Sequence, residues 1–236
     1  MSRDSAPAWS RLAWLTRVGW NISDAPRATR HDLSLVFSAK TNPLEAATEK
    51  TILDTFARSG WLPSTNRTDL KKNCVQSENG EVTIDAPAST LTVDTARTAG
   101  GCAPAGRCIE TRAATIDILD TYATVWVSSL DGKPITRSKR LLISHLTDLQ
   151  NMGTSYGDRK RQLLLDWGQL PHLVHAGRAT VTLRLEQAQR AKVYSLAVNG
   201  KRTSEVWAST VDSALYVPLS VSADGKARML YEIEVQ

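Results

Sequence analysis

Glu78-Asn79-Gly80-Glu81-Val82-Thr83-Ile84-Asp85 and, a short step on, Leu91-Thr92-Val93-Asp94 set the reading of this chain. Asn-Gly suits the two positive-φ positions of a tight hairpin. Each tetrapeptide after it alternates apolar and polar side chains, the period of a strand with one buried face. Working outward, the alternation returns at 115–118, 124–129, 140–145, 179–185, 192–197, 204–207, 214–218 and 229–235. Asp131-Gly132, Asn199-Gly200 and Asp224-Gly225 stand where such strands have to reverse. Many short strands joined by glycine turns predict a mainly β protein, an antiparallel β-sandwich over residues 75–236.

The first seventy residues read differently. Leu33 to Phe37 is a short apolar run that suits a strand. Leu44 to Ser59 carries an apolar stripe (Leu44, Ala47, Ile52, Leu53, Phe56) with Asn42 as N-cap, Pro43 in the first turn and Gly60 as the stop. Residues 1–70 are therefore expected to form a small α/β segment, and the polar run Pro63 to Asn73 a linker. Trp9, Trp14 and Trp20, with Leu12, Leu15 and Val18 between them, have roughly helical spacing and suit docking onto the rest of the chain or onto a partner.

Composition narrows the function classes. The 236 residues carry 29 Lys and Arg against 24 Asp and Glu, scattered along the chain, and no basic run is interleaved with aromatics as base-stacking modules require. Nothing points to nucleic acid. No apolar run is long enough to span a bilayer, and Met1 to Asn21 lacks the continuous apolar core of a signal peptide. Ala99-Gly100-Gly101 follows a strand, but neither a dinucleotide fingerprint nor a phosphate-loop lysine accompanies it, so no cofactor is expected. Cys102 and Cys108 enclose a short loop that a disulfide would close, with free thiols as the alternative.

One segment breaks the strand rhythm. Leu146 to His175 is too long for an ordinary loop in a two-layer β protein, and Lys160 to Trp167 suits a turn or two of helix. Its side chains supply most of the candidate site. Trp167 and Trp207 are the surface tryptophans with polar neighbours, and a flat indole with nearby amides or carboxylates suits the C–H face of a sugar. Tyr156, Asp158 and Asn151 complete the candidate glycan-binding set. His145 and Asp148, three apart, are expected to bond each other or the backbone and to fix the start of the insertion. With Ser144 and Ser155 they also suggest a hydrolytic triad, although the strand-to-helix elbow of an activated serine is not credited to this segment. His172 and His175 would share a metal only on a helix, and Pro171 argues against one there, so no metal is expected.

The residues also carry a resemblance. Residues 77–100, SENGEVTIDAPASTLTVDTARTAG, resemble the strand pair Ser-Asp-Thr-Gly-Glu…Phe-Thr-Val-Asp-Thr-Pro-Arg-Thr that follows the catalytic barrel in multidomain bacterial glycoside hydrolases. VWVSSLDGKP at 125–134, RLLISHLTDLQN at 140–151 and WGQLPHLV at 167–174 are similar to the later strands and the long insertion of that same accessory sandwich. The resemblance covers 75–236. It implies a C-terminal accessory domain of a polysaccharide-active enzyme, a catalytic barrel as partner, a polysaccharide as ligand, and a secreted or periplasmic setting. Leu33 to Phe56 is similar in size and order to the last strand and helix of such a barrel.

The resemblance does not extend to catalysis. The barrel's paired glutamates sit on strands that this sequence lacks, and the Asn-Glu dipeptide that carries the acid/base in many relatives does not occur. A glycosidase needs carboxyl groups about 5 to 9.5 Å apart, and Asp85, Asp94, Asp148, Asp158 and Asp166 are scattered carboxylates whose juxtaposition sequence does not supply. Two other readings stay open: a self-standing hydrolase around His145, Asp148 and Asp158, and a structural protein that associates through its tryptophan-bearing N-terminus.

Overall fold

A computed structural model describes residues 49–223 and 225–236. The expected strand at 33–37, the start of the helix at 42–48 and Trp9, Trp14 and Trp20 lie outside the described residues. The chain divides into two compact units, 1–87 and 88–236.

In the first unit, helix α1 (Glu49–Arg58) is followed by Gly60 at φ +70°, whose N–H donates to the Ala57 carbonyl at 3.1 Å. That left-handed residue is the usual glycine stop. Strands β1 (Cys74–Gln76) and β2 (Val82–Asp85) pair antiparallel across the Asn79-Gly80 turn. Residues 63–73 are not a slack linker. Asn66 Nδ2 donates to the Ser77 carbonyl at 2.8 Å, and the Arg67 N–H donates to Gln76 Oε1 at 2.9 Å, so the side chains tie the segment along β1.

The second unit is antiparallel β throughout. Its strands are β3 (Thr90–Asp94), β4 (Thr98–Ala103), β5 (Cys108–Glu110), β6 (Ala114–Ile118), β7 (Ala123–Ser129), β8 (Arg140–Leu146), β9 (Leu149–Met152), β10 (Ser155–Tyr156), β11 (Leu164–Asp166), β12 (Gln169–Val174), β13 (Arg178–Arg184), β14 (Ala191–Leu196), β15 (Arg202–Val206), β16 (Ser209–Val211), β17 (Ala214–Ser220), β18 (Ser222–Ala223), β19 (Lys226–Ala227) and β20 (Leu230–Val235). Within this unit one sheet runs β3-β4-β7-β8-β20-β14-β15 and a second runs β16-β17-β13-β6-β5. The alternation of period two sends one set of side chains from each sheet into a shared core: Val125, Val127, Leu141, Ile143 and Ile233 from the first, Ile116, Val181, Leu183 and Val217 from the second. Each is buried, and burying such a side chain contributes about 1.5–3 kcal/mol. Tyr231 crosses between the layers. Its hydroxyl donates to the Ser220 carbonyl at 2.8 Å and accepts the Ser220 N–H at 3.0 Å.

Three features take their meaning only from the folded sheets. The glycine-rich Ala99-Gly100-Gly101, expected to follow a strand, is itself the middle of β4: a Cβ on Gly100 would stand 2.1 Å from the Val125 carbonyl oxygen and one on Gly101 1.9 Å from that of Leu91, so glycine here permits close approach of neighbouring backbones. Trp126 is half-buried on the outer face of its sheet, lying against Gly100, and not in the core. Cys102, in β4, and Cys108, in β5, are free thiols, the alternative that the sequence left open. Cys102 Sγ accepts the Tyr122 hydroxyl at 3.1 Å, while burial and the neighbouring Asp117 carboxylate push the Cys108 thiol up to about 11. No helix among the described residues is long and apolar enough to cross a membrane.

Candidate functional site

The segment after β8 leaves both sheets and forms an arm. Strands β9 and β12 pair with each other alone, in the register Leu149↔Val174, Gln150↔Leu173 and Asn151↔His172, and β10 pairs with β11 beyond them. Residues 160–163 are turn and bend leading into β11, so the helical turns expected from Lys160 to Trp167 are absent; an extended partner for β10 is formed instead.

A two-stranded ribbon is marginal by itself, and side chains hold this one. Arg161 pairs with Asp148 across the arm and lies over the Tyr156 ring, 5.5 Å from its centre. Asp158 accepts the backbone N–H groups of Gln162 and Leu163, and Asp166 accepts that of Gly168. At Gly168, φ is +66° and a Cβ would sit 2.4 Å from the Met152 carbonyl oxygen, so only glycine lets the two strands close at this point.

These contacts shape an open groove of about 200 Å³. Asn151 Nδ2 donates to the Trp167 carbonyl at 2.9 Å, and Thr154 Oγ1 lies 3.0 Å from the same oxygen. With its amide nitrogen so used, Asn151 presents Oδ1 to His172 Nδ1 at 2.7 Å. A neutral imidazole in this contact carries its proton on Nδ1 and leaves Nε2 as an acceptor. Tyr156, Leu149 and Leu164 form the apolar walls, and Trp167 stands 75% exposed at the mouth. Such a groove offers an aromatic face together with a fixed amide and an imidazole acceptor, which suits a small ring bearing hydroxyl groups.

No family model matches the chain, and neither does any curated protein or solved structure.

Of the five candidate residues, Asn151, Tyr156 and Trp167 converge on the groove. Asp158 caps its own turn, and Trp207 lies between β15 and β16. His172 joins the groove as the partner of Asn151. Sequence reasoning had weighed it only as a metal ligand, and the signal that would have placed it was the pairing of the arm's two strands. His172 and His175 do not form a helical pair: residues three apart in extended chain point to opposite faces.

The expected bond between His145 and Asp148 is not formed. His145 faces the core and is fully buried, neither ring nitrogen has a hydrogen-bond partner, and burial pushes its pKa down to about 4. Asp148 points instead to Arg161. The dyad of the hydrolase reading is thereby lost. Residues 153–157 do spell Gly-Thr-Ser-Tyr-Gly, a pattern passed over in the sequence, yet Ser155 lies in ribbon strand β10 with no helix after it, which is not the elbow that activates a serine.

Proposed function

We propose that the second unit is the non-catalytic accessory β-sandwich of a carbohydrate-active, glycoside hydrolase-like enzyme, and that its arm groove holds one ring of a glycan. The observation that carries this reading is the convergence of Trp167, Tyr156 and the Asn151–His172 pair around one open groove. Two antiparallel layers over a common core and an arm at the expected insertion are in keeping with it. Leu163, Leu165 and Leu170, 58 to 70% exposed on the same arm, make an apolar edge of the kind that marks a partner surface, here the catalytic barrel.

Saturation-transfer NMR with mono- to trisaccharides of xylose, glucose, mannose and galactose tests the groove. Transfer to at least one sugar, abolished by Trp167→Ala, is expected. Absence of transfer from the full chain to any of them refutes the reading.

A further inference from the structure

We infer that the outer face of the second sheet is a separate platform for a glycan chain, anchored by Trp207 and Tyr216. The inward residues Leu215, Leu183 and Ile116 are buried in the core, so their neighbours in sequence point outward. The ladder aligns Ser209 with Tyr216, Tyr216 with Thr182, Thr182 with Thr115, and Thr115 with Glu110. One outward row thus crosses all five strands, a span of about 19 Å at about 4.8 Å between strands.

Trp207 closes one end of the row. It is 66% exposed and meets the Tyr216 ring edge-on, with centroids 6.2 Å apart and planes 71° apart. Two aromatic faces at nearly a right angle make a corner against which an apolar sugar face can rest. Along the row the Tyr216 and Thr182 hydroxyls have no partner among the described residues. Arg184 is held in place by the carbonyls of Thr111 and Arg112 and reaches Thr115 Oγ1 at 3.4 Å. The groups beyond the corner are hydroxyls with charges of both signs, Arg184 and Glu110, which match a neutral polyhydroxylated chain better than a polyanion. An extended ligand crossing strands at this pitch meets one polar group per strand.

This inference rests on the carbohydrate reading and extends it to a second surface, and its test is read from the difference made at Trp207, away from the arm. Native gels cast with xylan, mixed-linkage β-glucan, galactomannan or agarose are run with the full chain and with two variants. Retardation of the wild type in at least one gel is expected, with Trp207→Ala weakening it at least about tenfold, a loss of about 1.4 kcal/mol. Tyr216→Phe, which removes one hydroxyl and no ring, is expected to weaken it less. Equal retardation of wild type and Trp207→Ala overturns the platform, as does free migration of the wild type in every gel. If Trp207→Ala instead lowers a concentration-dependent mass in solution while no gel retards the wild type, the face is a protein interface and the inference falls. In each case the arm groove stands or falls by its own saturation-transfer result.

Discussion

His145 provides the sharpest test of the described packing. Its imidazole is fully buried in strand β8 and both nitrogens are unpartnered; burial drives the pKa down to about 4, and the nearby Asp120 carboxylate opposes that only in part. The folded value lies below the ordinary value of 6.5, so the unfolded chain binds the proton more readily. Stability from this residue is complete above the unfolded value and is lost as the pH falls toward the folded one. With values of 6.5 and about 4, the loss between about pH 7.5 and about pH 5 is about 2 kcal/mol. Most of that window lies above the range in which ordinary carboxyl groups titrate. Urea unfolding at several pH values across it, with wild type and His145→Leu in parallel, reads the effect. The wild type is expected to lose about 2 kcal/mol more than the variant. At neutral pH the variant is expected to match or exceed the wild type, because it removes a buried polar group that bonds to nothing. Equal acid sensitivity of the two proteins would refute a neutral, buried imidazole at this position.

Glu232, only 3% exposed, accepts from Arg140 and Arg202, which hold its carboxyl below the usual range. Its contribution is present above the unfolded value and lost as pH falls, so Glu232→Gln is expected to cost about 1–3 kcal/mol near neutrality and to flatten the acid limb of the stability profile; the half-exposed arginines keep the cost at the low end for a buried pair. Tyr231→Phe removes both bonds to Ser220 and is expected to lower stability by about 1–3 kcal/mol in thermal unfolding, without changing strand content by circular dichroism. Gly168→Ala places a Cβ 2.4 Å from the Met152 carbonyl oxygen. Limited proteolysis is expected to cut this variant faster within 146–175 while the thermal midpoint of the two-layer body stays near that of the wild type; uniform resistance would show that the ribbon closes without glycine.

The strands of the body were legible because their physics is local. At 115–118, 140–145 and 192–197 the alternation of apolar and polar side chains reports a strand with one dry face, and Asn199-Gly200 marks a reversal through its backbone preferences. β4 escaped the reading because its glycines answer to Val125 and Leu91, distant in sequence and adjacent only in the folded sheet. The arm escaped for a similar reason. Its outward leucines mimic no core stripe, and Asn151 meets His172 only when β9 and β12 pair.

The residue types suited to binding sugars, Trp167, Tyr156, Asn151 and Trp207, could be chosen from composition and neighbours alone. Which of them share a surface was decided by long-range pairing: three meet in the groove, while Trp207 stands beside Tyr216. His145 shows the same division. Three residues of separation brought it close to Asp148 along the chain, but it lies within β8, where alternation turns its ring into the core, while Asp148 lies past the strand's end and turns to Arg161. Periodicity along the chain sets which face a side chain takes, and only the closed sheets set what that face meets.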